Sequence, residues 1–251
     1  MSRLGRAAVS ASGLAGMLAL WETVSDTGLA NAALLPPPST TLRAAWAIIA
    51  SGQVLAPLGQ SLSLLAAGYA LASVLGIGLG LAMGCSRSVY GLFEPLVELL
   101  RPIPKAALVP PLFLFLGIGT TTMVTIITIG CFFPVLINTV QGVHGVDPVL
   151  LDTARTFRRS RGLTILEVIL PAGLPMILTG MRVSLALGLI LVVLAEMLAG
   201  SGGIGFLILD MQRSFDIVAM FAWLLILALL GLILSLAFDI LETRAVPWRA
   251  H

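Results

Sequence analysis

Few side chains in this chain could perform chemistry on their own. The 251 residues include only two histidines and two cysteines (His144, His251, Cys85 and Cys131), too few for a metal cluster or a disulfide framework. An intramembrane protease would need two aspartates, or a histidine and a serine, inside an apolar segment. His144 lies at the edge of such a segment, and no aspartate pair is present in one. We therefore expect no catalytic residue and no metal site.

Nucleotide-binding motifs are weak or missing. Gly200–Gly205 matches GxGxxG, but it follows an apolar segment rather than a strand, which favours a tight turn. A phosphate-binding loop of the form GxxxxGK[ST] needs a lysine after a glycine, and the single lysine, Lys105, follows Pro104. The chain cannot bind ATP by that route, and we expect no cofactor in it. Uphill transport would need an ion gradient or another subunit.

The composition is that of a membrane protein. The chain is 58% hydrophobic and 10% charged, with a mean hydropathy of +1.06, and apolar runs longer than about 18 residues are typical of transmembrane helices. A shorter run, Ala7–Trp21, follows Arg3 and Arg6 and could be a signal peptide. Glu22 and Asp26 follow it without a clear cleavage site, which favours a first membrane helix. The five longer runs are Pro57–Met83, Phe93–Gly117, Thr121–Val143, Ala172–Ala199 and Ile217–Leu241.

The distribution of arginines predicts the orientation of these six transmembrane helices. If the chain starts inside, nine arginines face the cytoplasm and two, Arg43 and Arg213, face outward. The positive-inside rule then places both termini in the cytoplasm. We predict an all-α polytopic membrane protein with a single transmembrane domain over residues 1–251, in which residues 1–56 precede a five-helix core at 57–251. The nine inner residues are Arg3, Arg6, Arg87, Arg155, Arg158, Arg159, Arg161, Arg244 and Arg249.

The run Phe93–Gly117 cannot form one regular helix because Pro102, Pro104, Pro110 and Pro111 fall within ten positions of it. We expect a helix to about Leu100, a break, and a second helical piece. Broken backbone at membrane depth is tolerated only inside protein or beside a water-filled cavity, which indicates a transport pathway. Glu98 and Arg101 are three residues apart and can form an ion pair. The candidates for the pathway or gate here are Arg101, Pro104 and Pro110.

Three further candidates for the pathway or gate lie in later helices. Asn138 follows Pro134 and could satisfy carbonyls that the proline leaves free, which we favour over contact with a substrate. Arg182, about 12 Å into the fifth helix, could attract an anion, reach the inner headgroups, or pair with Glu98. Glu196 lies near the outer end of the same helix, where a gate or helix-packing role is favoured.

Two patterns predict packing at helix surfaces. Gly76, Gly80 and Gly84 repeat every four residues, which favours close approach of another helix over lining of a pore. Farther upstream, an apolar series at helical spacing, with Arg43 beside it, predicts either an amphipathic helix on the outer surface or an ordinary loop helix. The members of that series are Leu42, Trp46, Ile49 and Leu55.

The segment LLDTARTFRRSRGLTILEVILP, residues 150–171, gathers four arginines within seven positions. Asp147 before Pro148 is an N-cap signal, so we expect a helix from Pro148. Gly162 could end it, and Thr164-x-x-Glu167 fits a capping box for a second helix. The basic residues could bind anionic lipid. An ordered helix–turn–helix at residues 147–170 is better explained as a docking element for a cytoplasmic protein.

This segment resembles the cytoplasmic EAA loop of ABC-importer permeases. Asp152, Ala154, Val168, Leu170 and Pro171 stand at the matching positions. The resemblance covers nearly the whole chain, and it favours the nitrate, sulfonate and taurine type over the alternative of an ion-coupled carrier or channel outside the ABC class. The other matching blocks are LLPPPS, RPIPKAALVPPLFLFLGIG, FFPVLINTVQGV, LPAGLPMILTGMRVSLALG and VVLAEMLAGSGGIGFLI.

The resemblance implies a type I ABC importer permease fold in a bacterial inner (cytoplasmic) membrane. The permease itself would be no enzyme. It would form a homodimer in contact with membrane lipid and with a cytoplasmic ABC ATPase dimer that holds ATP and Mg. An extracytoplasmic solute-binding protein would deliver a small anionic solute, and no nucleic acid is implied. ATP-driven closure of the ATPases would switch the permease from inward-open to outward-open.

The resemblance also assigns the loop to the ATPase interface, as a coupling helix that seats in a groove of the ATPase. Two residues depart from the family pattern: Thr153 replaces an alanine, and Arg158 replaces a glycine six positions after the acid. Because a non-glycine residue is disfavoured in a left-handed turn, we predict that the first helix continues past Arg158 and turns at Gly162. The expected interface residues are Asp152, Thr153, Ala154, Arg155, Phe157, Arg158, Arg159, Ser160, Arg161 and Gly162.

Overall fold

A computed structural model describes residues 3–27 and 34–248, without the side chains of residues 3–11 and 14. The predictions for the side chains of Arg3 and Arg6, and for Arg249 and His251, lie outside the described residues. Those that are described form helices and turns without strands, which confirms the all-α prediction. The helices are α1 (Arg3–Asp26), α2 (Pro38–Ala50), α3 (Leu55–Cys85), α4 (Arg87–Leu100), α5 (Val109–Leu116), α6 (Thr120–His144), α7 (Pro148–Thr156), α8 (Arg161–Thr164), α9 (Leu170–Ala199), α10 (Ile204–Arg213) and α11 (Ile217–Ala245).

Four helical segments of the described chain are long and apolar enough to cross a membrane. They are α3, α6, the continuous helix Arg161–Ala199 and α11. A fifth span is formed if α4 and the helical piece Lys105–Leu116, which meet at an angle of 90°, are counted together. The predicted break in the third span is thus confirmed. The region of Ala7–Trp21 is helical within α1, but its crossing of the membrane remains a prediction.

The core of the molecule is α6, which packs between α3 and α9. On the α3 side, a β-carbon added to Gly76, Gly80 or Gly84 would lie within 3.0 Å of a side chain of α6. The predicted close approach along this glycine face is therefore confirmed. On the other side of α6, a β-carbon at Gly180 would lie 2.5 Å from the β-carbon of Asn138. Glycines on both faces bring three helices into near-backbone contact.

A second apolar cluster joins α2 and α10 to α11. Ala45, Ile204 and Trp223 are buried in it. The other face of α2 carries the predicted apolar series as far as Ile49, and Trp46 there is 70% exposed, whereas Leu55 belongs to α3. The N-terminus of α2 is fixed by α1, because both carboxylate oxygens of Glu22 accept hydrogen bonds from Ser39. This assembly flanks the three-helix core and leaves an apolar stripe exposed.

Candidate functional site

The arginine-rich segment folds as an elbow, which we define as α7, the turn at residues 157–160, and α8. The predicted start of α7 is confirmed: a carboxylate oxygen of Asp147 accepts a hydrogen bond from the backbone N–H of Val149 at 2.9 Å, and Pro148 occupies the first turn. The side chain of Asp152 pairs with Arg155 one turn later at 2.8 Å. The acidic residue of the family pattern is thus exposed on α7 and held by a neighbour in the same helix.

The prediction that this helix continues past Arg158 is wrong. The helix ends at Thr156, and Arg158 takes a left-handed conformation with φ of +50°. The backbone N–H of Arg159 donates to the carbonyl of Ala154 at 3.1 Å, and that of Arg158 donates to Arg155 at 2.9 Å. This is the Schellman pattern, which satisfies carbonyls at a helix end. Those bonds offset the roughly 1–2 kcal/mol cost of the left-handed position, so arginine adopts the turn where glycine is usual.

The predicted turn at Gly162 and the capping box that starts at Thr164 are also wrong. The second helix starts four residues earlier than expected, because the hydroxyl of Ser160 accepts a hydrogen bond from the backbone N–H of Leu163 at 3.4 Å and caps the helix in place of Thr164. Gly162 lies inside α8. A π-helical turn at Ile165–Ile169 then connects α8 to α9 without a break. The i→i+5 hydrogen bonds of a π-helical turn suit this place, because Pro171 has no N–H to donate to the carbonyl of Glu167, four residues earlier, as an α-helix would require.

The elbow presents an apolar side chain surrounded by cations. Phe157 is 75% exposed at the bend. Arg159 pairs with Glu167 at 3.5 Å, while Arg158 and Arg161 form no ion pair with any described residue of the chain. Leu150, Ala154, Phe157 and Leu163 contribute the apolar lining of a concavity of about 740 Å³ between the two arms. An exposed aromatic residue with a basic rim is a surface that a protein partner can bind.

The break in the third span is held by Lys105, whose role sequence reasoning missed. The Lys105 ammonium donates hydrogen bonds to the carbonyls of Leu100, Arg101 and Ile103 at 2.9–3.1 Å. It also lies 4.3 Å from the centre of the Phe133 ring on α6. These carbonyls lie at the C-terminal end of α4 and in the turn after it, where a cation interacts favourably with the helix dipole. A basic residue just after a proline-rich helix end was the available signal.

Two cavities lie at opposite ends of α6. One, of about 200 Å³, is lined by Glu94, Glu98, Arg101 and His144 among others. The other, of about 350 Å³, includes Thr120 at the first turn of α6. The predicted Glu98–Arg101 pair is present at 3.8 Å. Pro104 precedes the 3-10 turn Lys105–Leu108, and Pro110 lies exposed in the first turn of α5.

Asn138 takes part of its predicted role. Its side-chain amide donates to the carbonyl of Pro134 at 2.8 Å. The carbonyl that Pro134 cannot satisfy belongs to Gly130, four residues earlier, so Asn138 does not bond the group that the proline frees. The expectation is therefore corrected: Asn138 bonds its own helix on the side where α9 approaches closely at Gly180.

Arg182 joins α9 to α11, and the suggested pairing with Glu98 is wrong. Its guanidinium contacts Asp239 and bonds Glu242 at 2.6 Å. It also lies over the Phe238 ring at 5.9 Å. Two carboxylates compensate the single positive charge, which leaves this site net negative and poorly suited to attract an anion. The geometry favours a role in holding α11 against α9.

Glu196 is fully buried near the C-terminal end of α9. Its carboxylate accepts hydrogen bonds from the Ser61 hydroxyl at 2.7 Å and the Gly205 backbone N–H at 2.8 Å. The Gly200–Gly205 turn folds over it, and Gly203, with φ of +91°, begins α10. A β-carbon on Gly203 would lie 2.2 Å from the carboxylate. The GxGxxG match is thus a tight turn, as expected, and Glu196 links α3, α9 and α10.

A helical core with a broken span, a basic elbow and polar cavities is the arrangement expected of a membrane permease. The chain matches the family model described as binding-protein-dependent transport system inner membrane component over residues 72–247. It belongs to that family and is a multi-pass membrane protein.

Three curated relatives have similar length. TauC of Escherichia coli (strain K12), a taurine transport system permease protein, is 33% identical and is aligned over 95% of this chain and 88% of its own length. SsuC of Bacillus subtilis (strain 168), whose name provisionally assigns it to aliphatic sulfonates transport, is 33% identical and is aligned over 93% of this chain and 84% of its own length. NrtB of Synechocystis (strain PCC 6803), a nitrate import permease protein, is 30% identical over 93% and 87%.

Solved structures of ABC transporters share the fold. An inward-facing MetNI methionine ABC transporter matches with a TM-score of 0.65 at 17% identity, over 76% of this chain and 95% of the matched chain. An amino acid ABC transporter solved with histidines matches with a TM-score of 0.63 at 17% identity, over 80% of this chain and 95% of the matched chain. At these identities the likeness shows that the ABC importer permease fold is present.

Proposed function

We propose that this chain is the translocation subunit of an ATP-driven importer that carries a small anionic solute across a bacterial inner membrane. A cytoplasmic ATPase dimer supplies the energy and holds ATP and Mg, and the permease performs no chemistry. Two permease copies form a homodimer within the lipid and alternate between inward-open and outward-open states. An extracytoplasmic solute-binding protein delivers the solute. Both chain termini lie on the cytoplasmic side with the elbow.

The exposed elbow supports this proposal most directly. Phe157 projects from the bend and stays largely exposed in the described chain. The adjacent Arg158 forms no ion pair with a described residue. The elbow occupies the position of the family coupling loop, and α8 runs without a break into a membrane-spanning helix. A partner that binds the elbow is therefore attached mechanically to the transmembrane core.

The class of solute is supported by the names of the relatives and by the break in the third span. The relatives' names specify taurine, aliphatic sulfonates and nitrate. Each of these solutes carries an oxyanion group, which is a sulfonate in the first two and nitrate itself in the third. Lys105 faces the middle of α6 at Phe133, and it forms no ion pair with a carboxylate of the described chain, whereas Arg101 pairs with Glu98. Cations at a broken helix are suited to stabilise an anion in transit. Arg182 does not contribute, because its charge is compensated.

The test is co-purification of the tagged permease with a co-expressed ABC ATPase from the same organism. Phe157→Ala should weaken association about tenfold or more, as expected for a central aromatic anchor. The matched control is Leu241→Ala, which removes a side chain 54% exposed near the inner end of α11 but outside the elbow, and it should leave association unchanged. If the native permease never retains the ATPase, the ion-coupled carrier becomes the better assignment.

A further inference from the structure

The described chain has two non-glycine residues with positive φ, Arg158 in the elbow and Phe215 at +58°. Phe215 also occupies a Schellman turn, here at the end of α10. Its backbone N–H donates to Gln212 at 3.2 Å, and the N–H of Asp216 donates to Met211 at 2.9 Å. A phenylalanine is disfavoured there because its β-carbon crowds the backbone in the left-handed region.

No contact of the Phe215 side chain within the described chain offsets the cost of its left-handed conformation. Its side chain is 82% exposed, so it gains little from burial in the folded chain. A glycine would close the same turn with less strain. Strained and exposed residues concentrate at functional positions, and an observed outlier is a reason to look for a function there. The side chain is placed to contact something outside this chain.

Phe215 lies at the end of the molecule opposite the elbow. The elbow enters the inner end of α9, which has 30 residues and so a length of about 45 Å. The chain then forms α10 and returns through α11, and Phe215 stands between these two helices. A partner at Phe215 therefore cannot be the one that binds Phe157.

The residues around Phe215 are polar or charged and exposed. Asp210 and Arg213 lie on the last turn of α10, and Gln212 and Ser214 are also exposed. Asp216 caps α11 by accepting a hydrogen bond from the backbone N–H of Ala219 at 3.1 Å. Charged side chains are disfavoured in hydrocarbon. An aromatic residue inside a charged rim is the arrangement of a protein interface.

We infer that Phe215 is the aromatic anchor at which the extracytoplasmic solute-binding protein docks. The inference rests on the proposed function, under which the end opposite the elbow faces outward. The family is described as binding-protein-dependent, and Phe215 with its charged rim is a surface at that end suited to a protein. The exposed stripe of α2, by contrast, is apolar and includes Leu42 and Trp46, a composition that suits lipid.

The experiment uses the complete transporter in nanodiscs and measures ATP hydrolysis as a solute-binding protein from the same organism is titrated. Phe215→Ala should raise the half-stimulating concentration of binding protein about tenfold, with the maximal rate at saturation retained. Phe215→Trp should stay within about twofold of the native value, because tryptophan is an equivalent anchor. Trp46→Ala is the matched control for loss of an exposed aromatic side chain, and it should leave the titration unchanged.

Each result has a separate meaning. If the native transporter responds to the binding protein and Phe215→Ala responds at the same concentration, the inference is overturned while the proposed function stands. If Phe215→Ala lowers thermal stability in lipid but leaves the titration unchanged, the side chain is a lipid contact, and the inference is again overturned. If the native complex hydrolyses no ATP and ignores the binding protein, the proposed function itself fails. Phe215→Gly guards against misfolding, because glycine fits the turn.

Discussion

At the scale of single residues, the two Schellman turns show backbone geometry and side-chain chemistry in conflict. Hydrogen bonds at the ends of α7 and α10 require a left-handed residue, and the chain supplies Arg158 and Phe215 there. In each case the side chain is exposed and the strain is local. The conformation thus follows from closing the helix end, whereas the residue type suits a contact outside the chain.

Replacing Arg158 with glycine should stabilise the permease. The free energy of unfolding is expected to rise by about 1 kcal/mol, because glycine fits the left-handed turn, and the thermal midpoint in detergent should rise by about 2–4 °C. The matched control is Arg161→Gly, which places glycine at a helical position and should lower stability by about 0.5–1 kcal/mol. Equal shifts in the two variants would contradict the strain assigned to Arg158.

At the scale of helical elements, the break between α4 and α5 is a defined structure rather than a flexible interruption. Three carbonyls at the end of α4 converge on one ammonium group, and Phe133 of α6 contacts the same group. Val109, the first residue of α5, is fully buried in the core. The 90° bend is therefore anchored on both sides.

Lys105→Met should loosen this bend. Methionine has similar length but donates no hydrogen bonds, so several carbonyls lose their partner at an expected cost of about 1–3 kcal/mol. We expect a lower thermal midpoint and a reduced transport rate in proteoliposomes. Arg101→Met is the matched control, since Arg101 is exposed and has only a 3.8 Å contact with Glu98, and it should retain the native midpoint. A Lys105→Met protein as stable as the native one would refute the anchoring role.

The sequence predicted the elements better than the turns. Proline content predicted the break, and the four-residue glycine spacing predicted the α3–α6 contact, because both depend on local chemistry that few alternatives satisfy. The end of α7 was mispredicted because intrinsic preference against a left-handed arginine was weighed without the two hydrogen bonds that offset it. The partners of Arg182 on α11 and the contact of Lys105 with Phe133 depend on which helices meet, and spacing along one chain does not contain that information.

At the scale of the whole molecule, the elbow and the Phe215 turn mark two opposite ends. The helix Arg161–Ala199 starts in the elbow and ends at the glycine turn that encloses Glu196. The salt bridges of Arg182 join this helix to α11, and its glycine face joins it to α6. These contacts make one body of the core, with a cationic surface at one end.

The predicted orientation can be tested by labelling in intact cells. In a background with Cys85→Ser and Cys131→Ala, Phe215→Cys should react with a membrane-impermeant maleimide, because the proposed orientation places it on the outer side. Phe157→Cys should react only after the membrane is permeabilised. Both native side chains are well exposed, so accessibility to the reagent depends on the side of the membrane. Reaction of Phe157→Cys alone in intact cells would reverse the orientation.

Because α8, the π-helical turn and α9 form one continuous helix, a movement of the elbow is transmitted along its whole length. The helix of 39 residues is about 58 Å long. A tilt of about 10° around its inner end would displace the outer end by about 10 Å, with that length fixed by the helical rise. Because Glu196 ties this end to Ser61 of α3 and to the start of α10, the displacement would reach all three helices there, and under the proposed function a small rotation of a partner bound at the elbow would produce a large opening at the opposite end.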